Sequence, residues 1–304
     1  MNEINSLDNL RASPFWDPLR NLRLDELLQS PLWEQVKAPI FVVGCGHSGT
    51  TLVNSLLGLH KNIYAIPFET SMFLAEPQRI ERAVDMLAPV DLHTLLNWHG
   101  RYVLNNDKHI VKVCHVADMT AVATSAIRWS EKTPRHILRI PIILESMPDA
   151  RIIIVTRDGR DVATSLALRQ SGTFEAFKSG VERWVHDNKA GEPYWKHCNV
   201  IRIRFEDIIT NFESSMREIC DFLTEEYDPN MTAYNRNDTD EYKSHVQVSG
   251  EAGWVNYRTW LSKQPLHDTR GKWIAYMGQE EKTYFKDYAG EALIEYGYVD
   301  NLDW

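Results

Sequence analysis

The chain has 304 residues, 43% of them hydrophobic and 25% charged, without a long polar or low-complexity tract; this excludes a fibrous or disordered protein and allows one large α/β domain or two small ones. A net charge of -9 speaks against general nucleic-acid binding, which needs a basic footprint to displace condensed counterions, but leaves room for a small anionic ligand held by locally gathered basic residues. Cys45, Cys114, Cys198 and Cys220 are far apart and form no C-x-x-C pair, so neither a disulfide framework nor a zinc ribbon is expected.

The N-terminal stretch MNEINSLDNLRASPFWDPLR carries neither a basic n-region nor an apolar h-region, and no run reaches ~18 apolar residues. A soluble, cytoplasmic protein with reduced thiols and no membrane partner is the expectation. Residues 1–37 read as a helical arm, with a helix around residues 24–28 and a break at Ser30-Pro31. No linker rich in proline, glycine or serine follows, so residues 38–304 read as one domain.

Residues 39–59, PIFVVGCGHSGTTLVNSLLGL, organise the rest. Phe41, Val42 and Val43 read as a short buried strand. Gly44, Gly46 and Gly49 allow a sharp turn and close approach of backbone to ligand, and Thr50 and Thr51 open a helix with apolar positions Leu52, Val53, Leu56 and Leu57. A strand, a glycine loop and a helix N-terminus make an anion cradle, because first-turn N–H groups and the positive end of the helix dipole point at whatever sits there. Residues 44–51 match the nucleoside-triphosphate loop G-x-x-x-x-G-K-S/T except that Thr50 stands where the lysine belongs. Without the lysine that neutralises β- and γ-phosphates, the loop favours a single 5'-phosphoryl group over a magnesium triphosphate. A purely structural glycine turn is the alternative.

Residues 62–65 read as a short strand, and Pro67-Phe68-Glu69-Thr70 as the opening of a helix carrying Met72, Phe73 and Leu74, broken or kinked at Pro77. Helical periodicity runs over residues 79–105. Residues 111–114 and 127–130 read as strands, and a helix spans 134–147. Ile152, Ile153, Ile154 and Val155 are β-branched without alternation, which marks 151–156 as the clearest strand, of the kind buried on both faces of a parallel sheet. Helices at 161–170 and 174–189, a strand at 200–205 and helices at 211–223 and 280–296 complete the alternation. The implied fold is an α/β, P-loop-like nucleotide-binding domain: a central, mainly parallel sheet flanked by helices, with ligands outside the carboxyl ends of its strands.

Arg157 directly follows the clearest strand, and Ser165 lies about one helical turn beyond Asp161, so a guanidinium and a hydroxyl can converge on a second phosphate. Alternatively, Arg157 pairs with Asp158 or Asp161 on the surface and Ser165 merely caps or packs. Taken together, GCGHSGTT, the EKTP of 131–134, and PDA leading through a strand into RDGRDVATS resemble the family of sulfotransferases that use 3'-phosphoadenosine 5'-phosphosulfate, PAPS. The resemblance covers about residues 38–300, including the ending GKW to EYGY, and is concentrated in these motifs.

The resemblance implies that Gly46, His47, Ser48, Gly49, Thr50 and Thr51 bind the 5'-phosphosulfate, that Arg157 and Ser165 bind the 3'-phosphate, and that no metal takes part. By likeness to bacterial members and the tyrosylprotein sulfotransferases, where a Glu-Thr pair follows the loop, it implies Glu69 as general base. Lys132 matches the lysine that steadies the bridging oxygen of the leaving phosphate. A positioned base is worth ~10²–10⁴ in rate, and a fixed ammonium acts where charge accumulates in the transition state. The bland readings are a first-turn helical acid and an exposed lysine.

His47 stands where many relatives carry arginine or lysine; either its charge at the phosphosulfate depends on pH or the imidazole serves as a neutral donor. Phe205, in RFEDI, keeps the stacking face of a tyrosine that often touches adenine and loses its hydroxyl. Thr269-Arg270-Gly271-Lys272-Trp273 resembles the nucleotide-closing loop, through which Arg270 or Lys272 would reach the 3'-phosphate. Ser71 occupies the place where the tyrosylprotein enzymes carry an arginine for acidic peptides, which favours a small-molecule hydroxyl acceptor.

The acceptor pocket is expected from residues 71–110 and 225–268. His93 with His99 and His109 with His115 are six apart, which suits no metal pair, and Trp254, Tyr257 and Trp260 would share one helix face as core or pocket wall. Sulfation of a protein tyrosine, a saccharide or an amine, a P-loop kinase, and a non-catalytic binder of adenosine 3',5'-bisphosphate stay open as alternatives.

Overall fold

The alternation of apolar runs with helical segments produces, in a computed structural model, a five-stranded sheet in the order β2-β3-β1-β4-β5 in which every pair is parallel. The structure describes residues 29–66, 69–74, 108–170, 172–236 and 268–304. β1 (Ile40–Gly44) lies at the centre, with β3 (Arg128–Lys132) and β2 (Ile63–Ala65) on one side and β4 (Arg151–Thr156) and β5 (Val200–Arg204) on the other. Phe41 and Val43 enter one face of the core with Trp129, Ile152 and Ile154, while Ile40 and Val42 enter the other with Ile153 and Val155. All nine side chains are fully buried, which is why β1 and β4 are apolar at every position rather than at alternate ones.

Helices cover both faces. Among the described residues they are α1 (Thr50–Leu57), α2 (Lys108–Ala123), α3 (Ile140–Ser146), α4 (Gly159–Arg169), α5 (Phe174–Gly191), α6 (Phe205–Thr210), α7 (Phe212–Leu223), α8 (Lys272–Tyr276) and α9 (Gln279–Glu295). α3 is preceded by the 3-10 turn Pro134–Arg139, so the helix expected at 134–147 is in fact two pieces. α4 and α5 pack at the closest range that a glycine permits: a Cβ on Gly180 would stand 2.9 Å from the Ala163 Cα. Among the described residues no helix is long and apolar enough to cross a membrane.

Two expected elements differ. Residues 111–114 belong to helix α2 and not to a strand, and the buried Ile110, Cys114, Ala117 and Ala121 recur at the three- and four-residue spacing of one helix face. The stretch after β2 does not open a helix at Glu69; residues 69–71 are irregular and residues 72–74 form a turn, with the Leu74 N–H donating to the Ser71 carbonyl at 2.7 Å. The helices expected at residues 24–28 and 79–105, and Trp254, Tyr257 and Trp260, lie outside the described residues. The end of the N-terminal arm is the short turn Pro31–Gln35, capped by Ser30, and Leu32, Trp33 and Val36 pack on the core.

At the amino ends of the strands a buried carboxylate ties the arm to α7. Glu225 accepts from Lys37 Nζ at 2.7 Å, Arg128 Nη1 at 3.2 Å and Asn62 Nδ2 at 2.9 Å, and the Arg128 guanidinium also donates to the Ala38 and Leu223 carbonyls. Burial pushes the Glu225 carboxyl up, but the hydrogen bonds from Lys37 and Asn62 and the charges of Lys37 and Arg128 outweigh it and hold the group below its ordinary range. Glu225→Ala strands Arg128, which is only 3% exposed, and should cost about 3–5 kcal/mol in urea unfolding. A loss below about 1 kcal/mol would show that the cluster behaves as a surface pair.

Candidate active site

The glycine loop leaves β1 beside the end of β4, since Gly44 pairs with Val155. Gly49 is the N-cap of α1 at φ 96°, and a Cβ there would sit 2.5 Å from the Phe205 ring, so no other residue fits this turn. Thr50 is buried, and Ser48 is completely buried with no partner for its hydroxyl oxygen among the described residues. A buried hydroxyl with no partner among the described residues, at a helix N-terminus whose first-turn amides have no acceptor within the helix, is what an oxyanion would satisfy.

The second anion motif meets the first directly. His47, at φ 70°, turns its Nδ1 to within 2.9 Å of Ser165 Oγ on α4. Arg157, the residue after β4, donates from Nη1 to the His47 carbonyl at 3.2 Å and from Nη2 to the Thr269 carbonyl at 2.6 Å and the Thr269 hydroxyl at 3.0 Å. Its guanidinium lies over the Phe205 ring at 4.4 Å, is 3.6 Å from Asp161, and leaves Nε buried without a partner among the described residues. Arg157 is thus buried, not a surface partner; the pair with Asp158 is made by Arg160, at 2.6 Å.

The closing loop is fastened above this junction. Asp161 accepts from the Gly271 N–H at 2.8 Å and the Trp273 N–H at 3.2 Å, and Arg160 is held between the Trp273 and Trp304 rings at 4.1 and 4.5 Å. Arg270 turns to Asp268 at the surface, 2.7 Å away, while Lys272 is exposed at the start of α8. Two further cations, Arg169 and Arg183, act on His47 and escaped the sequence reading. Arg169 is one helical turn past Ser165 and could have been found by spacing; Arg183 comes from α5, with no motif around it.

Burial, followed by the charges of Arg169, Arg183, Arg157 and Lys272, lowers the His47 pKa to about 4. Without an anion beside it, the imidazole is therefore neutral at neutral pH and acts toward Ser165 as a hydrogen-bond partner. In a chain of net charge -9, gathering four cations around one loop gives the site the local positive field an anion needs.

On the other side of β1, the last residue of β3 completes the site. Lys132 Nζ donates to Glu69 Oε1 at 2.8 Å; the lysine is buried and the Glu69 side chain is 26% exposed. The segment carrying Glu69 is held by side chains instead of by helical bonds. Glu131 Oε1 accepts from the Thr70 N–H at 3.0 Å and the Thr70 hydroxyl at 2.8 Å, and also from the Thr133 hydroxyl. The Ser71 N–H donates to Thr133 Oγ1, that of Met72 to Thr70 Oγ1, and that of Phe73 to His136 Nε2. Because His136 Nε2 accepts, Nδ1 carries the proton and donates to Glu131 Oε2 at 3.1 Å. Burial pushes the Glu131 carboxyl up, but His136, Thr133 and Thr70 together bring it below the ordinary range, so this fully buried group is a carboxylate.

The depressed His47 pKa has a stability consequence. Between the unfolded value of 6.5 and the folded value of about 4, the unfolded chain binds a proton that the folded chain does not, so lowering pH through this window costs stability. Compared with His47→Asn, which tolerates the left-handed backbone, the wild type should lose about 1–3 kcal/mol between pH ~7 and pH ~4.5 in urea unfolding. A constant difference between the two proteins across that range would show that His47 titrates normally.

A model of the sulfotransferase family matches residues 39–229, well over half of the chain. The sulfotransferase domain from the curacin biosynthetic pathway shares the fold with a TM-score of 0.54 at 16% identity, over 84% of this chain and 98% of that one. Mouse sulfotransferase SULT7A1, complexed with PAP, gives a TM-score of 0.54 at 16% identity over 92% of each chain. An uncharacterized protein of Aquifex aeolicus (strain VF5) is 24% identical over 204 residues, 61% of this chain, and the match spans 25% of that relative's length. The matched span runs from β1 past β5 and includes the glycine loop, Glu69, Lys132, Arg157 and Ser165, and on this footing the chain belongs to the sulfotransferase family.

Proposed function

We propose that this protein moves a sulfuryl group from PAPS to a hydroxyl group of a small-molecule acceptor, releasing adenosine 3',5'-bisphosphate. The observation that carries the reading is the contact between the two anion motifs: His47 of the first touches Ser165 of the second, and Arg157 touches the His47 carbonyl. Adjacent cradles fit a ligand that is anionic at two neighbouring points. The PAP-complexed mouse sulfotransferase of the same fold supports the choice of nucleotide.

In this reading residues 38–304 are the sulfotransferase domain, and residues 1–37 an arm on it. The amides and hydroxyls of Gly46, His47, Ser48, Gly49, Thr50 and Thr51 hold the 5'-phosphosulfate; Arg157 and Ser165 hold the 3'-phosphate, with Arg270 and Lys272 bordering it. Phe205 offers a ring face to adenine. PAPS supplies an already activated sulfuryl group. Glu69 removes the acceptor's proton, and Lys132, 2.8 Å away, orients that carboxylate and offers its ammonium to the charge that builds on the departing phosphate. No part of this scheme uses a metal ligand, which accords with Thr50 in place of the P-loop lysine. Four free cysteines, three of them buried, suit a reducing, cytoplasmic setting, and Ser71 in place of an arginine suits a small acceptor over an acidic peptide.

Thermal-shift measurements should show adenosine 3',5'-bisphosphate raising the melting temperature more than AMP, ADP or ATP with magnesium, since ligand binding to the native state stabilises it by mass action. Preferential stabilisation by ATP with magnesium would reject the donor. Glu69→Gln should cut turnover by ~10²–10⁴ and leave bisphosphate affinity unchanged. If the variant turned over like the wild type, Glu69 would not be the base.

A further inference from the structure

Between Gly44 and Thr51 the loop contains no lysine or arginine, and its one basic side chain, His47, faces Ser165 as a neutral imidazole. From its own side chains the loop therefore offers a phosphosulfate only neutral donors. Arg157 touches the loop only at the His47 carbonyl and otherwise faces the Thr269 loop and the Phe205 ring.

Another cation lies against the loop itself. Arg183, on α5, has its guanidinium against Gly46: a Cβ at that glycine would stand 3.0 Å from Nη2, 3.4 Å from Cζ and 3.8 Å from Nη1. Any larger residue than glycine at position 46 would push this group away. The guanidinium is not loose, since Nε donates to Asp187 Oδ2 at 3.3 Å, one helical turn further along α5. Asp187 is fully buried, and its other oxygen lies 3.2 Å from His186 Nδ1. The tether holds the Nε edge and leaves the Nη edge toward the loop, with the Arg183 side chain 35% exposed. A planar fork fixed along one edge is the form in which arginine meets phosphate and sulfate oxygens.

We propose that Arg183 supplies a second fixed positive charge at the 5'-phosphosulfate end of the donor, beside that of Lys132 and against the loop itself, which lacks a basic residue for the role. This assignment rests on the donor site proposed above. It divides the basic cluster by position: Arg157 with Ser165 serves the 3' end, Arg183 over Gly46 serves the 5' end, and Asp187 positions Arg183.

Titration calorimetry with adenosine 5'-monophosphate, adenosine 3'-monophosphate and the bisphosphate separates the two ends without relying on turnover. Arg183→Gln should weaken the 5'-monophosphate and the bisphosphate about ten- to a hundredfold, the loss expected for a charged hydrogen bond, and leave the 3'-monophosphate unchanged. Arg157→Gln should show the opposite preference. Arg183→Lys, which keeps the charge, should retain more 5'-monophosphate affinity than Arg183→Gln. Unchanged binding of the 5'-monophosphate by Arg183→Gln, or equal losses for both monophosphates, would overturn the assignment, the second outcome marking Arg183 as a structural partner of Asp187. If the wild type bound none of the three nucleotides, the donor-site reading would fall, and this one with it.

Discussion

Parallel pairing of β1 to both of its neighbours is the constraint on which the site depends. In a parallel sheet all carboxyl ends lie on one edge, and here each of the five delivers something to it. Glu69 follows β2, Lys132 ends β3, the glycine loop leaves β1, Arg157 leaves β4 and Phe205 leaves β5. The register sets these groups side by side, with Val42 opposite Lys132 and Gly44 opposite Val155. A slip of one residue in β3 would turn Lys132 to the other face of the sheet and bring Glu131 in its place. The full burial of Ile152, Ile153, Ile154 and Val155, each side chain worth about 1.5–3 kcal/mol, makes such a slip in β4 costly as well.

Buried carboxylates do the positioning around the basic cluster at the glycine loop. Asp161 fastens the loop at 269–273 and stands 3.6 Å from Arg157; Asp187 tethers Arg183; Glu131 clamps the segment behind Glu69. Each is at most 1% exposed. Buried charges of this kind are costly unless every oxygen is engaged, and losing one partner leaves the other stranded. The arrangement therefore favours one geometry over many, as catalysis by preorganised charge requires.

Much of this was legible in the sequence because backbone rules carry it. The glycine loop, the unalternating β-branched strand at 151–156 and the arginine after it each follow from local geometry, and their adjacency follows from the parallel fold. What stayed illegible depends on side chains reaching between elements. Val111 and Val113 disguised the start of α2 as a strand, since β-branched residues suit strands and the buried period of Ile110, Cys114, Ala117 and Ala121 shows only over the longer stretch. Arg183 sits in an ordinary amphipathic helix, and only the packing of α5 against the end of β1 gives it a role. The segment after Glu69 looked helical because helix propensity is a local measure, whereas four successive amides, those of Thr70, Ser71, Met72 and Phe73, find side-chain acceptors.

Those four amides explain why Glu131 and Lys132 are consecutive. Neighbouring residues of a strand point to opposite faces, so one of the pair can reach buried structure while the other reaches the site. Glu69 and Thr70 likewise turn opposite ways along an irregular stretch, and the contacts match: Glu69 meets Lys132, and Thr70 meets Glu131. The buried contact fixes the segment, and the segment presents the carboxylate to the ammonium. Lys132 and Glu69 thereby hold their geometry without needing their own attraction to create it. A single inserted residue between Glu131 and Lys132, or between Glu69 and Thr70, would keep every side chain and lose the arrangement.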